Sequence, residues 1–399
     1  MSEQPVSHRV ARPPSVPYRS PWLTPELEML ADAAARFFEE RFVPREPQWS
    51  RDGLMDRGAW NEAGRVGLLC ASIPEAYGGG GGTLAHDIVI FSEQARALVG
   101  SFSNTVHSGI VAHYLLHYGS EAQKRRWLPK MASGEMVGAI AMSEPDAGSD
   151  LQAIRTRARR DGDHYVIDGA KTFITNGYHA DLVFVVAKTD SAAKGSRGTS
   201  IIVVETRDLA GFRRGKVLDK LGNRGSDTAE LFFDGVRVPV ENLLGPEEGQ
   251  GFPQLMAQLP AERLYIAMNA VAQMERAVAM TVDYVKARTV FGQPLSSLQN
   301  TRFKLAECRS KAQIARVYVD NCLVRCLADE LSNDDAAVAK WWVTQTCNEV
   351  VDECLQLHGG NGYILDYPIA RLYANARVGP IYGGSNEIMK EIIARELFR

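Results

Sequence analysis

The spacing of apolar residues changes twice along the chain and divides it into three parts. The first part begins at Thr24, after which apolar residues recur at the three- and four-residue steps of an amphipathic helix: Leu27, Leu30, Ala34 and Phe37. Helical spacing continues to about residue 137. Five consecutive glycines at 78–82 interrupt it, because glycine loses so much backbone entropy on ordering that such a run favours a loop. We expect Thr24 to cap the first helix and residues 24–137 to form a helical domain.

In the second part, between about residues 138 and 247, the period falls to two and β-branched residues become frequent. Four stretches have the alternation typical of strands: His164–Asp168, Asp181–Lys188, Thr199–Glu205 and Ala229–Phe233. Three turn signals separate them: Asp161-Gly162, Asn176-Gly177 and Asp234-Gly235. The pattern predicts a middle domain at 138–247 with a small sheet of short antiparallel strands.

The third part returns to helical spacing from Leu255, with one long apolar stripe: Leu264, Met268, Val271, Met274, Val278, Val282 and Val285. Further helices are predicted at residues 303–331, 335–357 and 385–398. Because helices and strands are segregated and do not alternate, their order favours an α+β fold over a doubly wound parallel sheet. Such long helices are typical of a bundle that also packs against another subunit, so we expect residues 248–399 to form a helical bundle.

The composition excludes several classes of function. With 45 Lys and Arg against 48 Asp and Glu, the net charge of -3 provides no basic surface, so nucleic-acid binding is not expected. No apolar stretch reaches the roughly 20 residues that cross a bilayer. Residues 1–23 contain prolines and arginines but no signal-peptide core, and are expected to form a flexible arm. A bacterial-type cytoplasm fits these features, and the mitochondrial matrix fits them only if a presequence has been removed.

Six cysteines are too few for a disulfide framework in 399 residues, which favours a reducing compartment. Cys322 and Cys326 are four residues apart, as are Cys354 and His358, so each pair could share a helix face and hold a metal. Neither pair has a second half nearby to complete the four ligands that zinc needs. Buried thiols without a metal are the preferred interpretation.

Four segments are richer in glycine and polar residues than a plain core requires: 140–150 (IAMSEPDAGSD), 171–177 (KTFITNG), 356–363 (QLHGGNGY) and 380–387 (PIYGGSNE). In the first two, the hydroxyls of Ser143 and Thr175 can hydrogen-bond ring heteroatoms, and Gly148 lets the backbone approach a ligand closely. A simple Asx or ST turn would explain either segment alone. In the last segment Ser385 is a candidate helix N-cap, beside amides that favour an anion, although plain capping explains it equally well.

In this order and spacing, the four segments resemble those of the acyl-CoA dehydrogenases, and the resemblance runs from about residue 24 to the C-terminus. Further stretches are most similar to the long-chain branch of that family: 226–233 (SDTAELFF), 259–264 (LPAERL), 287–295 (ARTVFGQPL) and 380–397 (PIYGGSNEIMKEIIAREL). The resemblance implies an N-terminal helical domain, a middle antiparallel β-domain and a C-terminal four-helix bundle, with FAD between the β-domain and the bundle. It also implies a homotetramer, built as a dimer of dimers, that oxidises an acyl-CoA and passes electrons to an electron-transferring flavoprotein.

The resemblance also assigns residues to FAD and to the substrate. The first two segments supply the residues that line FAD: Ile140, Met142, Ser143, Gly148, Ser149, Phe173 and Thr175. A second group, partly contributed across subunits, meets its adenine dinucleotide half: Arg288, Phe291 and Gln299. Five more positions are expected at the cofactor: Gln356, Gly359, Gly360, Ser385 and Glu387. The residues expected at the acyl-CoA are Ser149, Arg263 and Gly383.

The catalytic base requires a separate argument. By resemblance, the family removes the α-proton of a saturated acyl-CoA with a carboxylate while the β-hydride passes to the flavin. Many members carry that carboxylate in a YEGT-like motif, but this chain has Gly383 at the position and glycine cannot accept a proton. Long-chain and isovaleryl members carry the base on a bundle helix before an arginine, and Glu262-Arg263 matches that pattern. Glu262 is therefore the expected base, and the amide of Gly383 remains to polarise the thioester with the flavin ribityl hydroxyl.

Alternatives to this assignment remain open at the level of sequence. Glu262 and Arg263 could form a surface ion pair, and Glu387 or Glu391 could replace the missing base. Asp146 stands where the family motif has glycine, and it is expected to face solvent so that it does not repel pyrophosphate. An acyl-CoA oxidase, another flavin enzyme of the same fold, or a scaffold that binds CoA without catalysis are the competing functions. The preferred one is dehydrogenation of a long-chain or branched acyl-CoA in fatty acid β-oxidation.

Overall fold

The computed structural model describes residues 18–193 and 197–398. Residues 1–17 of the expected arm lie outside the described residues. The rest of that segment is anchored and not free: the Ser20 hydroxyl and the Trp22 indole both donate to the carboxylate of Asp320, at 2.5 Å and 2.8 Å. Asp320 is fully buried in the C-terminal bundle, so these contacts attach the start of the N-terminal domain to the bundle.

Six helices form the N-terminal domain: α1 Pro25–Phe37, α2 Glu46–Asp52, α3 Gly58–Arg65, α4 Leu84–Arg96, α5 Ala112–Tyr118 and α6 Glu121–Ala132. The predicted cap is confirmed, since the Thr24 side chain accepts a hydrogen bond from the amide of Leu27 at 3.3 Å. Glycines 78–82 form a loop before α4, as expected. Short π-helical turns at Phe38–Phe42 and Thr105–Val111 extend α1 and lead into α5.

The middle domain is a seven-stranded sheet of β1 Gly138–Ala141, β2 Arg157–Asp161, β3 His164–Thr175, β4 Leu182–Lys188, β5 Thr199–Glu205, β6 Phe212–Val217 and β7 Thr228–Pro239. The strands pair in the order β1-β4-β2-β3-β7-β6, and β5 also pairs with β4. Most neighbours are antiparallel, as expected, but β1 and β2 both run parallel to β4, with Gly138 opposite Leu182 and Arg157 opposite Lys188. These two pairings correct the prediction of a wholly antiparallel sheet. Strand β1 arrives from the helical domain and not through a hairpin.

One predicted turn is wrong. Asp234-Gly235 lies inside β7, although Gly235 does adopt the left-handed conformation at φ +61°. The opposite strand has an irregular register between Ile167 and Gly169, and the Asp168 carboxylate accepts a hydrogen bond from the Gly235 amide. The glycine therefore bends a continuous strand at a bulge and does not end it.

The C-terminal bundle contains α7 Gly251–Ala287, α8 Gln299–Leu327, α9 Asn333–Leu357, α10 Pro368–Ala376 and α11 Asn386–Leu397, with a short hairpin of β8 Thr289–Val290 and β9 Gln293–Pro294 between α7 and α8. Helix α7 packs against α8 and α9, and α9 packs against α11. Six members of the predicted stripe on α7 are buried, and Val282 is half-buried. The order of helices, sheet and helices confirms the α+β prediction. Among the described helices, none is both long and apolar enough to cross a membrane.

The helical parts share one hydrophobic core. Aromatic residues of the N-terminal domain such as Phe42 and Trp60 belong to the same buried cluster as Leu264 and Val271 of α7. Helices α4 and α5 contact α7 directly. The N-terminal domain therefore forms one wall around the first half of α7, where the candidate base lies.

Candidate active site

The candidate base lies on α7 in a dry environment. Only 6% of Glu262 is exposed, and its Oε1 accepts a hydrogen bond from the Tyr114 hydroxyl of α5 at 2.9 Å. Burial raises the pKa of Glu262 to about 7, against the opposing effects of the Tyr114 hydrogen bond and the positive charge of Arg263. A carboxyl group with a pKa near neutrality can be ionised and still take up a proton, which is what general-base catalysis requires.

Gly383 lies beside the same face of α7. Both Gly383 and Gly384 have positive φ, at +63° and +89°. A Cβ atom at position 383 would lie 2.2 Å from Cδ1 of Ile266, which is one helical turn beyond Glu262. The fold therefore brings the two predicted catalytic positions to neighbouring places, and the space that a side chain at 383 would need is already filled.

A buried lysine holds the loop that contains Gly383. Lys340 of α9 is fully buried, and its ammonium group donates to the carbonyl of Gly384 at 2.6 Å and to Asn386 Oδ1 at 3.1 Å. Burial lowers the pKa of Lys340 to about 8, with a smaller effect from the charge of Arg263. Lys340 is not among the site residues predicted from the sequence. A lysine in the apolar stripe of α9, between Ala336 and Val343, is the signal that could have found it.

Arg263 is buried as well, with 4% exposure. Its guanidinium donates to Asn333 Oδ1 at 2.5 Å, and its Nε has no partner among the described residues. Burial lowers the pKa of this side chain. Because Glu262 and Arg263 are both inside the protein, the alternative of a surface ion pair is wrong.

Glu387 and Glu391, the two carboxylates of the last helix that were considered as replacements, are poor candidates for the base. The Ser385 hydroxyl caps α11 by accepting from the Ile388 amide at 3.4 Å, as predicted. Glu387 follows in the first turn, is exposed, and has a lowered pKa because of hydrogen bonds to the helix start and to Ser385. Glu391 is paired with Arg395 on the surface at 2.7 Å. Neither carboxylate is desolvated as a strong base would need to be.

On the sheet, the first two predicted segments come together. The Ser143 carbonyl accepts from the Thr172 amide at 3.0 Å, which joins the end of β1 to β3. Beneath them Lys171 forms a buried ion pair with Glu144 at 2.8 Å and donates to the Met142 carbonyl at 3.0 Å. This ion pair, which was not predicted from the sequence, fixes the two segments against each other.

The surface that these segments present suits a planar aromatic ligand. Ile140, Met142, Ser143 and Thr175 are half-buried, near the place where the segment after β1 is hydrogen-bonded to β3. Phe173 is 68% exposed and has a φ of +58°, a strained conformation that a bulky residue keeps when its surroundings require it. Gly148 and Ser149 lie in the exposed turn that follows, and no atom of the described residues would lie within 4 Å of a Cβ at Gly148. The turn therefore leaves room for a ligand. Asp146 faces solvent, paired with Arg155 at 3.3 Å, as expected.

The remaining predicted cofactor residues gather at the other end of the bundle. Arg288 follows the last residue of α7, Phe291 is 95% exposed at the tip of the hairpin, and Gln299 begins α8. The rings of Tyr284 and His358 stack at 4.2 Å, which brings the end of α9 to this place. Three exposed residues of that end complete the group: Gln356, Gly359 and Gly360.

This distal group is far from the candidate base. Arg288 is 26 positions after Glu262, and at 1.5 Å per residue the two are about 39 Å apart along α7. One chain therefore does not assemble the distal group and Glu262 into a single site.

No cluster of three or more His, Cys, Asp or Glu side chains that could hold a metal occurs in the described parts of the chain. Five of the six cysteines are buried, and Cys326 is half-buried. His358 points its Nδ1 at the backbone carbonyl of Cys354, at 2.8 Å, and not toward a shared ligand position with that thiol.

Comparisons with known proteins cover almost the whole chain. Three family models match it in order: the N-terminal, middle and C-terminal domains of acyl-CoA dehydrogenase, at residues 24–135, 139–236 and 249–398. Long-chain specific acyl-CoA dehydrogenase, mitochondrial, of Sus scrofa is 44% identical over 373 residues, covering 93% of this chain and 86% of that protein. Isovaleryl-CoA dehydrogenase, mitochondrial, of Pongo abelii is 37% identical over 379 residues, covering 94% of this chain and 89% of that protein.

The same similarity holds in three dimensions. The crystal structure of an acyl-CoA dehydrogenase from Geobacillus kaustophilus superposes with a TM-score of 0.93 at 44% identity, and the match covers 95% of this chain and 100% of that one. The three-domain fold expected from the resemblance is confirmed.

Proposed function

Because the chain belongs to the acyl-CoA dehydrogenase family, an oxidoreductase family that depends on a flavin, we propose that it oxidises a saturated acyl-CoA to the trans-2-enoyl-CoA. The observation that carries the proposal is the desolvated carboxylate of Glu262, one helical turn from the residue that packs on Gly383. Without that carboxylate the chain would still have the fold of the family, but its site would have no group to remove a proton.

FAD fits the residues at the ends of β1 and β3. The hydroxyls of Ser143 and Thr175 would bind the polar edge of its ring system, and the exposed ring of Phe173 would pack beside it. Bound there, the flavin would supply the acceptor for the two electrons that leave the acyl chain. Its adenine dinucleotide half would be bound by the distal group of another copy of the chain, since the residues of that group lie far from Glu262 in their own chain. This requirement supports an assembly of at least two copies, and a homotetramer built as a dimer of dimers is the proposed form.

The chain's own residues would perform the proton chemistry. Glu262 would take the proton from C2 of the acyl group as the C2–C3 double bond forms. The β-hydrogen would leave C3 with its electron pair, as a hydride, for the acceptor that a bound flavin would supply. The amide of Gly383 would donate to the thioester oxygen, on which negative charge develops as the C2 proton leaves. Lys340 would keep that amide in place through the Gly384 carbonyl. Burial around Glu262 would exclude water and keep the carboxylate basic.

The acyl chain is proposed to be long or branched. Two facts support this: the chain is 44% identical to a long-chain specific enzyme and 37% identical to an isovaleryl-CoA enzyme, and both assignments agree with a base on α7. Fatty acid β-oxidation is the proposed setting. An electron-transferring flavoprotein is the proposed acceptor of the electrons.

Anaerobic titration of the purified flavoprotein with acyl-CoAs of increasing length and branching tests this function. We expect loss of the flavin absorbance with long or branched substrates and formation of an equimolar enoyl-CoA. The proposal would be overturned if no acyl-CoA reduced the flavin. Rapid reoxidation of the reduced protein by air, with formation of peroxide, would indicate an oxidase and not a dehydrogenase.

A further inference from the structure

The carboxylate of Glu262 receives its hydrogen bond from a different domain. Tyr114 belongs to α5 of the N-terminal domain, while Glu262 belongs to α7 of the bundle, and 148 positions separate them in sequence. Tyr114 is fully buried and Glu262 is 6% exposed. A hydrogen bond of 2.9 Å in such a dry place is stronger than one on the surface, because no water competes for either partner.

We propose that Tyr114 is a positioning residue for the proton-abstracting carboxylate: its hydroxyl holds Oε1 of Glu262 and stabilises the ionised form, so that Oε2 is left for the substrate. The inference rests on the function proposed above, and it adds a residue of the N-terminal domain to the machinery of that site. Tyr114 does not itself exchange a proton with the substrate.

The direction of the hydrogen bond supports this role. Burial and the neighbouring Glu262 carboxylate raise the pKa of Tyr114 well above its ordinary value, so the phenol keeps its proton and donates. A donor to a carboxylate favours its charged form and lowers its pKa. Tyr114 thus opposes the effect of burial, and the base remains ionised in a larger fraction of the protein near neutral pH.

Other charged and titratable groups surround Glu262 and must be considered. On α7 itself, Arg263 lowers the pKa of Glu262 through its charge, but its guanidinium is bonded to Asn333. Burial and the charge of Asp87 of α4 raise the pKa of Tyr265, which lies one turn along α7. On α9, Lys340 faces Arg263 and the Gly384 carbonyl. Among the described residues, Tyr114 alone donates a hydrogen bond to the carboxylate.

The chain offers a matched control one turn away on the same helix. Tyr118 lies 6.1 Å from Tyr114, ring centre to ring centre. Its hydroxyl donates to the Gln254 carbonyl at 3.4 Å and accepts from Gln258 at 3.1 Å, and does not contact Glu262. Removal of this hydroxyl changes the same helix and the same wall without changing the base.

The test compares the Tyr114→Phe and Tyr118→Phe holoenzymes across pH. For Y114F we expect the acid limb of the flavin-reduction rate to move upward by about one pH unit, the effect of one hydrogen bond to a charged group. At pH values below that limb, the rate of Y114F is about tenfold lower than that of the wild type. Well above the limb, it is within about twofold of the wild type. Y118F keeps the wild-type profile.

A second readout does not depend on turnover. Difference infrared spectroscopy follows the carbonyl stretch of a protonated carboxyl group, and Glu262→Gln identifies which band belongs to Glu262. In Y114F this band should persist to higher pH than in the wild type. Incorporation of 3-fluorotyrosine at position 114, a stronger donor, should move both the band and the acid limb to lower pH, and it serves as the test if Y114F is unstable.

The outcomes distinguish failure of the positioning role of Tyr114 from failure of Glu262 as the base. An unchanged titration in both Y114F and the fluorotyrosine protein overturns the inference, and so does a rate that falls equally at every pH, which would show a packing role alone. If Glu262→Gln still allows acyl-CoA to reduce the flavin, the proposed base fails, whatever Y114F does. If Glu262→Gln abolishes reduction while Tyr114 has no effect on the titration, only the positioning role fails.

Discussion

The two ends of helix α7 differ in how their functional residues are covered. Near its start, Glu262 and Arg263 are almost fully buried and each has a partner from another helix, Tyr114 and Asn333. Near its end, Phe291 is 95% exposed, and nothing in the part of the chain that the structure describes would come within 4 Å of a Cβ at Gly359. The buried end sets the protonation state of its groups within one chain. The exposed end has residues that can bind a ligand but does not enclose one. This is why we propose that it contributes to the site of a neighbouring copy.

The largest expected effect is on the free energy of unfolding, because the buried carboxylate of Glu262 is costly to ionise. Because the pKa of Glu262 is about 7 in the fold against an ordinary 4.5, the folded state binds this proton more tightly, and stability falls as pH rises between those values. Glu262→Gln lacks this component. Its unfolding free energy relative to the wild type should therefore increase by about 3 kcal/mol from about pH 5 to pH 8.

Urea unfolding of both proteins at the two pH values measures that difference. Glu387→Gln is the control, since Glu387 is exposed and its replacement should leave the difference nearly flat. A difference between wild type and Glu262→Gln that does not change with pH would contradict the raised pKa and the contrast between the two ends.

The next effect compares two glycines with the same left-handed backbone. Gly383 has φ +63° and Gly359 has φ +57°, but only position 383 is crowded, by Ile266. Gly359→Ala should lose about 1 kcal/mol for the conformation alone. Gly383→Ala should lose roughly a further 0.5–1.5 kcal/mol, because Cδ1 of Ile266 is the end of a side chain that has to leave its preferred rotamer. Equal losses in denaturant unfolding would show that the loop at Gly383 is not held against α7.

The smallest effect concerns the exposed end. Arg288→Ala should weaken FAD binding by about tenfold, because Arg288 is proposed to donate one charge-assisted hydrogen bond to the pyrophosphate. Titration of the apoprotein with FAD measures the change. Arg51→Ala is the control, an exposed arginine of α2 that contacts Gln48. The pH profile of Glu262 should not change in Arg288→Ala, and if it does, the two ends are not independent.

Local signals in the sequence predicted much of the fold. The caps at Thr24 and Ser385 depend on residues within one helical turn, so they could be recognised from sequence and are confirmed. Strands β1, β2 and β6 were not predicted. Strand β1 has only four residues, and β2, with the sequence RARRD, is mostly exposed and shows no apolar alternation.

The candidate site was predicted in part. The position of Glu262 followed from a motif, and the structure shows why glycine is accommodated at 383. The partners of the site could not be predicted, because they are tertiary contacts: Tyr114 is 148 positions from Glu262 and Lys340 is 44 from Gly384. A buried lysine in an apolar stripe is a signal, but its partner is defined only when the helices pack.

The central claim is that proton removal depends on the carboxylate of Glu262 on α7. Anaerobic stopped-flow reduction of the flavin by acyl-CoA, compared among wild type, Glu262→Gln and Glu391→Gln, tests it most directly. We predict that Glu262→Gln keeps its flavin but reduces it about 10²- to 10⁴-fold more slowly, the contribution of a general base. Glu391→Gln, at an exposed carboxylate paired with Arg395, behaves as the wild type. Near-normal reduction in Glu262→Gln would contradict the account.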